Sequence, residues 1–437
     1  MRITIIGTGY VGLVTAVCLA DQGNEVVAQD QDRRKMDLLK GGECPIYEPG
    51  LVELIRSNLS GGRLQFTSDF AEALGHGEVV FIAVGTPSLP DGRPDLGALH
   101  SVADQLADLV DGPRIVVIKS TVPVGTGDDL EARINRRARH RVTVVNVPEF
   151  LKEGSAVDDF LRPDRVVIGA QDPAAAAVLR ELHDPFVRNQ RPIYVMSRKA
   201  AELTKYAANT YLATRISFIN QIAALCDALG IDVNEVRLGM GSDTRIGFQF
   251  LYPGAGYGGS CLPKDVAAMI HINRQAGVNA DLFESVAAVN DRQREALFGK
   301  IVRRFGEVLS GRVFAVWGAA FKPKTDDVRE APALRLIELL LAAGARVRAH
   351  DPKALENLEK HFGDRLEYCP RGYEALDGAD ALVIVTEWNE FRTPNFTEIA
   401  RRLKQPIIFD GRNLYSLESM RGRGFEYYSI GRPAVDA

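Results

Sequence analysis

Three glycines near the amino terminus constrain the fold of this chain more than any other feature. They form the pattern Gly7-x-Gly9-x-x-Gly12. The apolar run Ile3–Ile6 precedes the pattern, and a stretch with helical spacing, Val11–Gln22, follows it. In this context the glycines allow a tight turn, a close approach of backbone amides to a diphosphate, and packing of the helix on the strand. The pattern therefore predicts a Rossmann unit that binds a dinucleotide at the helix amino terminus.

An acidic residue follows the second predicted strand, Glu25–Gln29. A carboxylate at the position of Asp30 accepts hydrogen bonds from the adenosine ribose hydroxyls and repels a 2′-phosphate, which favours NAD over NADP. The neighbouring cations Arg33, Arg34 and Lys35 leave NADP open. A solvated loop acid is the other interpretation of Asp30.

Short β-rich runs alternate with helical patterns through the first 197 residues, which predicts a parallel α/β sheet. The further predicted strands of this sheet are Val79–Val84, Ile115–Lys119, Val142–Asn146, Arg165–Ile168 and Ile193–Met196. Several are continuous apolar runs, as expected for strands that are covered on both faces. We therefore predict an NAD-binding Rossmann domain over residues 1–197.

A long helical stretch follows this domain. Residues Arg198–Leu229 contain no glycine or proline, carry apolar residues at helical spacing, and end at Gly230. A helix of this length reaches about 48 Å, enough to link domains and contribute to a dimer contact. Helical patterns continue to about residue 308, so we expect a central helical domain over residues 198–308.

The last third of the chain repeats the opening arrangement of strands. The predicted strands are Val313–Trp317, Val347–His350, Ala381–Thr386 and Ile407–Phe409. They predict a second Rossmann-like domain over residues 309–437, which lacks a full G-x-G-x-x-G and is expected to bind a related nucleotide. Lys322 and Arg329 flank Thr325-Asp326-Asp327 there; they form either a cationic diphosphate site or a surface salt-bridge cluster.

The composition is that of a globular protein with two or three domains. The chain has 437 residues, 46% of them apolar and 25% charged, with a net charge of −4. Basic residues are dispersed, so we expect no nucleic-acid partner. No apolar run approaches the ~20 residues of a membrane span and the chain begins without a signal-peptide layout, so we expect a cytoplasmic protein without a membrane partner.

One of the five cysteines lies in an unusual setting. The five are odd in number and lack C-x-x-C spacing, so we predict no disulfide framework and no metal site. Cys261 follows the glycine-rich stretch Phe250–Ser260, which predicts a loop that wraps a ligand. A buried, inert thiol is the commoner fate of a cysteine, but Lys264 and Asp265 lie within about a turn, and a nearby cation lowers a thiol pKa. A thiolate beside a nicotinamide suggests oxidation through an acyl-sulfur intermediate.

Two further pairs of polar residues are candidates for chemistry. Glu149 and Glu153 follow a predicted strand, and their spacing lets them share one face of an incipient helix; solvated acids at a helix start are the alternative. Lys205 and Asn209 project from one side of the long helix. They form either a clamp for a developing oxyanion or, for the lysine, a side chain that reaches to solvent.

Together these motifs resemble the nucleotide-sugar 6-dehydrogenases over essentially the whole chain. The matching runs are GTGYVG (7–12), Tyr47–Leu51, VGTP (84–87), STVPVGT (120–126), PEFLKEG (148–154), Lys205 with Asn209, GGSCLPKD (258–265) and FKPKTDDVRE (321–330). One departure is Val147, which separates Asn146 from Pro148, where relatives often join the asparagine directly to Pro-Glu-Phe.

The resemblance implies an α/β fold with two Rossmann-like doubly wound domains, joined by a long central helix and a helical dimerisation region. It implies a cytoplasmic homodimer that oxidises UDP-glucose at C6 to UDP-glucuronate and reduces two NAD, through a thiohemiacetal and a thioester on Cys261. The same chemistry on GDP-mannose or UDP-N-acetylmannosamine is the enzyme alternative. A one-step hydroxyacid dehydrogenase would not need the thiol, and a non-catalytic NAD-binding scaffold is the alternative of another class.

The resemblance also implies roles for single residues. The implied catalytic residues are the nucleophile Cys261, the oxyanion pair Lys205 and Asn209, and Asp265, Glu149 and Thr121 around the hydrolytic water. The implied NAD contacts are Gly7, Gly9, Tyr10, Val11, Gly12, Asp30, Lys35, Thr86, Thr121, Glu153, Lys264 and Arg329. The implied nucleotide-sugar contacts are Phe150, Leu151, Lys152, Glu153, Lys205, Asn209, Phe250, Leu251, Tyr252, Pro253, Gly254, Gly258 and Lys322, with Arg245 reaching across a dimer.

Overall fold

The structure, a computed structural model, describes residues 1–187 and 191–436. The chain divides into two compact units. The first contains Met1–Ala208 and His271–Gly277; the second contains Asn209–Ile270 and the chain from Val278 onward.

The first unit is built on one sheet. Its eight described strands lie in the order β3-β2-β1-β4-β5-β6-β7-β8. They are Arg2–Ile6 (β1), Glu25–Gln29 (β2), Leu64–Thr67 (β3), Val79–Ile82 (β4), Arg114–Ile118 (β5), Val142–Asn146 (β6), Val166–Gly169 (β7) and Ile193–Met196 (β8). The predicted Rossmann-like sheet is confirmed. The sequence missed β3, a short strand of mixed polarity, and placed the end of β4 too late because the chain leaves the sheet after Ile82.

Helices cover both faces of this sheet. They are Tyr10–Asp21 (α1), Arg33–Lys40 (α2), Leu51–Ser60 (α3), Phe70–His76 (α4), Gly97–Leu109 (α5), Thr126–Asn135 (α6), Ala156–Leu161 (α7) and Pro173–His183 (α8). One apolar core lies on the side of α1, α3, α7 and α8, and a second lies on the side of α4, α5 and α6. Burial on both faces explains why β4 is an unbroken apolar run.

One strand pair departs from the predicted parallel sheet. β7 pairs with β6 in antiparallel fashion, with Asn146 opposite Gly169, whereas the other neighbouring described strands are parallel. A parallel pair needs a crossover that carries the chain back to the other end of the sheet. Residues 147–165 contain only the short helix α7, so β7 enters from the carboxyl end of β6 and runs back toward it. The expectation of a wholly parallel sheet was therefore wrong at β7.

The long helix lies where the sequence predicts it. The helix comprises Arg198–Leu229 (α9), and the next residue, Gly230, has a positive φ of 69°. Glycine adopts this left-handed conformation without strain, which explains the end of the helix. Large apolar side chains remain exposed along α9 at intervals of seven and four residues: Tyr211 by 60%, Phe218 by 49%, Leu225 by 53% and Leu229 by 62%.

The second unit contains the other sheet. Its described strands are all parallel and lie in the order β11-β10-β9-β12-β13-β14. They are Val313–Trp317 (β9), Arg346–His350 (β10), Glu367–Tyr368 (β11), Ala381–Ile384 (β12), Ile407–Asp410 (β13) and Glu426–Ser429 (β14). The second Rossmann-like sheet is confirmed. The sequence missed β11 and β14, which are short and partly polar edge strands.

The helices that follow α9 are Val233–Gly241 (α10), Leu262–Gln275 (α11), Asp281–Phe305 (α12), Pro332–Ala342 (α13), Leu355–Phe362 (α14), Asn389–Arg392 (α15), Phe396–Arg402 (α16) and Leu417–Gly422 (α17). The apolar core of the second unit joins β9, β10, β12 and β13 to side chains of α9, α12 and α13. No helix in the described part of the chain is both long and apolar enough to cross a membrane.

Candidate active site

The turn between β1 and α1 is shaped by glycine. Gly7 has a φ of 93°, and a Cβ atom there would lie 2.8 Å from the carbonyl oxygen of Ala83. A Cβ atom on Gly12 would lie 1.8 Å from the carbonyl oxygen of Gly7. Helix α1 begins at Tyr10, and no described side chain caps its first turn. The backbone N–H groups at the start of α1 are therefore available to a diphosphate, so the site fits a dinucleotide.

Asp30 is already oriented at the end of β2. Its Oδ2 atom accepts hydrogen bonds from the N–H of Thr8 at 2.9 Å, from the Thr8 hydroxyl at 3.0 Å and from Lys35 Nζ at 2.9 Å. Burial opposes ionisation, but the hydrogen bonds from Lys35 and from the N–H groups of Thr8 and Asp32 prevail and hold the pKa of Asp30 below its usual range. An ionised acceptor here suits the hydroxyls of an NAD ribose.

Two of the predicted threonines are joined at the carboxyl edge of the sheet. The Thr86 hydroxyl donates a hydrogen bond of 2.8 Å to the carbonyl oxygen of Thr121. Thr86 follows β4 and Thr121 follows β5, so this bond fixes two adjacent loops at the edge where ligands of open α/β sheets bind.

Glu149 and Lys205 form a buried ion pair of 2.8 Å between Oε1 and Nζ. Burial opposes ionisation of Glu149, but the charge and hydrogen bond of Lys205, the N–H of Leu151 and the charge of Lys119 lower its pKa. Helix α9 thus delivers an ammonium to the loop that follows β6.

The interpretation that Glu149 and Glu153 share a helix face is wrong. Residues 149–153 lie outside any helix, and α7 begins only at Ala156. The reason is local, because Glu149 Oε2 accepts the backbone N–H of Leu151 at 2.6 Å and so stabilises a turn instead.

The rest of this loop is held by charges. The Arg165 guanidinium lies 3.7 Å from the centroid of the Phe150 ring, and Lys205 Nζ lies 5.5 Å from it. Lys152 Nζ pairs with Asp159 at 2.8 Å. The predicted substrate-binding run 150–153 is therefore a loop whose Phe150 and Lys152 side chains contact neighbouring charged residues.

Glu48 anchors the end of the same loop, a role that sequence reasoning missed. Its buried carboxylate accepts the N–H of Gly154 at 2.6 Å and that of Ala156 at 2.8 Å. The hydroxyl of Tyr10 also donates to Glu48, and burial together with this carboxylate raises the pKa of Tyr10. Glu48 therefore connects the glycine motif of α1 to the PEFLKEG run. The only sequence signal was the unexplained matching run Tyr47–Leu51.

Lys119 was also missed as a site residue. It directly follows β5, is 5% exposed and lines a cavity of about 150 Å³ together with Glu149. In the sequence it looked like the last residue of an apolar strand. Its long-range proximity to Glu149 depends on the pairing of β5 with β6.

In the second unit, Asp265 brings together two of the predicted residues. Its buried carboxylate accepts Asn209 Nδ2 at 2.6 Å and Lys264 Nζ at 2.8 Å. Lys205 and Asn209, one turn apart on α9, are therefore each hydrogen-bonded to a different buried carboxylate.

Cys261 lies immediately before α11 and is partly buried. Its sulfur lies 3.6 Å from the Ser260 hydroxyl, and its carbonyl oxygen accepts the N–H of Asp265 at 2.9 Å. The nucleophile candidate therefore stands at the start of a helix, with Asp265 in the first turn.

Three amide side chains fix the backbone of the glycine-rich stretch before Cys261. Asn220 Oδ1 accepts the N–H of Gly254 at 2.9 Å, and Gln293 Nε2 donates to the Gly254 carbonyl at 2.6 Å. Asn290 bonds both the N–H and the carbonyl of Tyr257, at 2.9 and 3.1 Å. Sequence reasoning missed these amides, whose only signal was a polar residue on an apolar helix face.

Gly258 is required by its neighbours. A Cβ atom there would lie 2.2 Å from the carbonyl oxygen of Glu330, and the next residue, Gly259, donates its N–H to Arg329 at 2.9 Å. Earlier in the stretch, Phe250 has a positive φ of 60°, Leu251 is buried and Tyr252 is exposed, followed by Pro253.

The remaining predicted cations are held by local contacts. Arg329 is bidentate to Asp327, at 2.9 and 2.7 Å, as the salt-bridge interpretation expects. Lys322 Nζ lies 5.3 Å from the Phe321 ring centroid, and Arg245 pairs with Asp243 at 2.6 Å on an exposed surface. No group of three or more potential ligands arranged for a metal ion occurs among the described residues.

Comparison with known proteins matches three successive segments of the chain to one family. Residues 1–187 match the NAD binding domain of the UDP-glucose/GDP-mannose dehydrogenase family, residues 199–292 its central domain and residues 315–417 its UDP binding domain. The chain is 51% identical to a UDP-glucose 6-dehydrogenase of Pseudomonas aeruginosa, over 99% of this chain and 98% of that protein. It is 47% identical to a UDP-glucose 6-dehydrogenase of Rhizobium meliloti, over 99% of this chain and all (100%) of that protein.

Solved structures are similar over nearly the full length. A UDP-glucose dehydrogenase of Pyrobaculum islandicum superposes with a TM-score of 0.91 at 36% identity, covering 99% of this chain and 98% of that one. A UDP-D-ManNAc dehydrogenase of Pyrococcus horikoshii superposes with a TM-score of 0.87 at 28% identity, covering 99% of each chain.

Proposed function

Because this chain belongs to the UDP-glucose/GDP-mannose dehydrogenase family, we propose that it oxidises UDP-glucose to UDP-glucuronate and reduces two NAD in the process. The observation that carries the proposal is the position of Lys205 and Asn209 on α9, each hydrogen-bonded to a buried carboxylate, Glu149 and Asp265. Relatives at 51% and 47% identity that carry this activity in their names support UDP-glucose as the substrate.

Two NAD molecules, bound in turn, would each accept one hydride ion from C6. The glycine turn would hold the diphosphate of each NAD, and the ionised Asp30 would hold its ribose. The protein's own chemistry then concerns the oxygen, the carbon and the proton at C6.

Lys205 and Asn209 donate hydrogen bonds to the C6 oxygen as it gains negative charge. After the first oxidation, the Cys261 sulfur adds to the aldehyde carbon, and the oxygen of the resulting thiohemiacetal takes up a proton. The second oxidation removes a hydride and a proton and leaves a thioester. Without the sulfur, the second hydride would have to leave from an aldehyde hydrate.

Hydrolysis of the thioester completes the reaction. Glu149 or Asp265 accepts a proton from the attacking water, which Thr121 helps to place, and the C–S bond breaks to release the carboxylate and the Cys261 thiol. Each cycle therefore consumes one water and two NAD, and returns the cysteine unchanged.

The same machinery is compatible with a different sugar nucleotide, because none of these residues reads the base or the substituent at C2. The similarity to a UDP-D-ManNAc dehydrogenase at 28% identity makes UDP-N-acetylmannosamine the second candidate substrate. An NADH-formation screen over UDP-glucose, GDP-mannose, UDP-galactose and UDP-N-acetylmannosamine decides between them. We expect about two NADH per UDP-glucose, since an alcohol loses two hydrides on the way to an acid. One NADH with release of free aldehyde would exclude the mechanism.

Three domains, residues 1–197, 198–308 and 309–437, are part of this proposal, supported by the three family matches. We also propose a homodimer that works in the cytoplasm. Four exposed apolar side chains of α9 support a dimer: Tyr211, Phe218, Leu225 and Leu229. Their intervals of seven and four residues place them along one stripe that a second copy would cover. Arg245 is exposed and follows α9 in the sequence, and it is the candidate for contacting the substrate of the partner subunit.

The dimer is tested by sedimentation of the Phe218→Lys variant. A charge in the middle of a dimer interface shifts the equilibrium to monomer. The matched control is Leu109→Lys, which charges a similarly exposed apolar residue at the end of α5. A wild-type protein that sediments as a monomer, or a Phe218→Lys variant that remains dimeric, contradicts this interface.

A further inference from the structure

Lys119 is a buried cation whose ammonium has no hydrogen-bond or ion-pair partner among the described residues. The residue is 5% exposed, and its backbone N–H donates to the Ile82 carbonyl at 2.9 Å. The Lys119 Nζ atom lies 5.7 Å from the centroid of the Phe160 ring. Burial lowers the pKa of Lys119 to about 8 from an ordinary value of 10.5. A lysine in this environment destabilises the fold, because an ammonium loses its hydration there and gains no counter-ion contact.

Glu149 is the carboxylate that interacts electrostatically with Lys119. Both residues line the same cavity of about 150 Å³. The backbone places them there, since β5 pairs with β6 and the N–H of Val147 donates to Ile118 at 3.0 Å, which sets Lys119 beside the residues that lead to Glu149. Attraction to Glu149 raises the pKa of Lys119, although less than burial lowers it, and Lys119 in turn lowers the pKa of Glu149.

The other ionisable groups around Lys119 do not neutralise it. Lys205, from α9, carries a like charge and lowers the pKa of Lys119 further. His183, from α8, is held neutral, because burial and the charge of Lys119 lower its pKa to about 4. The remaining charges that line the cavity come from the segment before β7 and from the loop after β6: Lys152 paired with Asp159, and Arg162, Asp164 and Arg165. Glu149 is thus a buried carboxylate near two ammonium groups: Lys205, which contacts it, and Lys119, which does not.

The second ammonium is redundant while Lys205 stays on Glu149, but the proposed reaction requires Lys205 elsewhere. When the Lys205 ammonium turns to the C6 oxygen of the substrate, Glu149 loses the one ion pair that it makes with a described residue. A buried carboxylate without a cation takes up a proton near neutral pH and can no longer accept one from water.

We propose that Lys119 is a positioning residue that serves as the second counter-cation of Glu149 and keeps this carboxylate ionised while Lys205 is engaged by the substrate. The proposal rests on the proposed function for the role of Lys205. Lys119 acts on Glu149 through its charge, without a hydrogen bond or ion pair to it. Lys119 lowers the stability of the resting protein because its charge is needed in a later state of the reaction, in which Lys205 has left Glu149.

The test is the pH profile of NADH formation by Lys119→Met, a variant of similar shape without charge. We expect the acid limb of kcat, which reports ionisation of Glu149 in the enzyme–substrate complex, to move up by about one pH unit or more, as for a carboxylate that loses a nearby cation. Lys119→Arg keeps the charge and is expected to keep the acid limb within a few tenths of a unit of the wild type. The control Lys199→Met, which removes an exposed ammonium from α9, is expected to leave the profile unchanged.

Thermal unfolding is a second test, because the Lys119→Met variant that loses activity at acid pH is expected to be more stable than the wild type. Lys119→Met is expected to melt at a higher temperature than the wild type at pH 7, since the uncompensated charge is gone. The folded-state pKa of about 8 lies below the unfolded value of 10.5, so this difference is full below pH 8 and narrows as the pH rises toward 10.5. A variant that melts lower than the wild type, or one whose acid limb does not move, overturns the proposal.

A measurement without turnover separates this proposal from the proposed function. In a Lys205→Met background the Glu149 carboxylate is expected to remain ionised at pH 7, as seen by infrared difference titration. In the Lys119→Met/Lys205→Met double variant the same spectrum is expected to show a protonated carboxyl. Equal spectra for the two proteins refute the role of Lys119 even if UDP-glucose proves not to be the substrate. Wild-type protein that forms no NADH with UDP-glucose refutes the proposed function and leaves this comparison valid.

Discussion

The Glu48 carboxylate accepts a hydrogen bond of 2.6 Å from the backbone N–H of Gly154 and thereby ties the chain before α3 to the last residue of the PEFLKEG run. The same carboxylate accepts the N–H of Ala156 and the hydroxyl of Tyr10. A single buried side chain therefore holds the substrate-loop candidate against the helix whose amino terminus is the predicted site of the cofactor diphosphate.

Glu48→Gln is expected to destabilise the protein and to raise KM for the sugar nucleotide more than it changes kcat. The glutamine amide presents an N–H group where one of the two backbone donors needs an acceptor, and a buried unsatisfied donor costs about 1–3 kcal/mol. The measurements are thermal unfolding and steady-state NADH formation. Glu72→Gln is the matched control, because among the described residues the Glu72 carboxylate accepts a hydrogen bond from the Thr67 hydroxyl alone, at 2.5 Å and away from this loop. Equal KM values in both variants contradict the role of Glu48.

Cys261→Ser is expected to bind UDP-glucose with nearly unchanged affinity while steady-state turnover falls by at least about a hundredfold, because the atom that carries the acyl group is missing. Calorimetry measures the binding and NADH absorbance the turnover. Cys44→Ser is the control, since Cys44 is also partly buried and lies far from Cys261 in the sequence. Turnover within tenfold of the wild type would remove Cys261 from the mechanism.

The stability of the protein at acid pH is expected to depend on His183. Burial and the charge of Lys119 lower the pKa of His183 to about 4 from an ordinary value of 6.5, although the hydrogen bond between Nδ1 and the Leu179 carbonyl opposes this shift. Between these values the unfolded chain binds a proton that the folded protein does not, so stability falls as the pH is lowered through this range, by up to about 3 kcal/mol. Denaturant titrations of His183→Gln and wild type at pH 7 and pH 4.5 measure the effect. The variant should lose less stability on acidification, and parallel losses would show that His183 is not responsible.

Gly258→Ala is expected to lose several kcal/mol of stability and most of its activity, because the new methyl group meets the carbonyl oxygen of Glu330 at 2.2 Å and backbone must move. Gly239→Ala is the control within α10, where a Cβ atom meets nothing within 4 Å and a helical glycine is replaced by a better helix former. Its expected effect is neutral or stabilising. Circular dichroism melts and NADH formation distinguish the two, and a Gly258→Ala protein with native stability would contradict the close approach.

The parts of the fold that the sequence predicts are those with a local cause. The glycine turn after β1 and the bounds of α9 depend on residues that adjoin one another, and the sequence predicts both. The reversal at β7 depends instead on where a short helix packs after β6, which no local pattern records. The strand β3 was missed for a similar reason, since it is defined by the strand β2 beside it.

The candidate site divides in the same way. Local spacing brought Lys205 and Asn209 to attention, and both proved to be hydrogen-bonded to buried carboxylates. It failed for Glu149 and Glu153, because a side-chain contact with the N–H of Leu151 replaced the helix that the spacing suggested. Lys119 and Glu48 reach their partners through pairing of strands and packing of distant segments. Their function is a property of the folded chain.

The amide side chains of Asn220, Asn290 and Gln293 have a final consequence for ligand recognition. A glycine-rich segment has the most backbone freedom to lose, and that loss normally weakens affinity when a ligand imposes order. Here hydrogen bonds within the protein restrict the stretch around Gly254 and Tyr257, so a ligand has less backbone freedom to remove. An inhibitor with an electrophile aimed at the neighbouring sulfur would therefore meet a rigid receptor, and its residence time would depend on fit rather than on inducing a closed conformation.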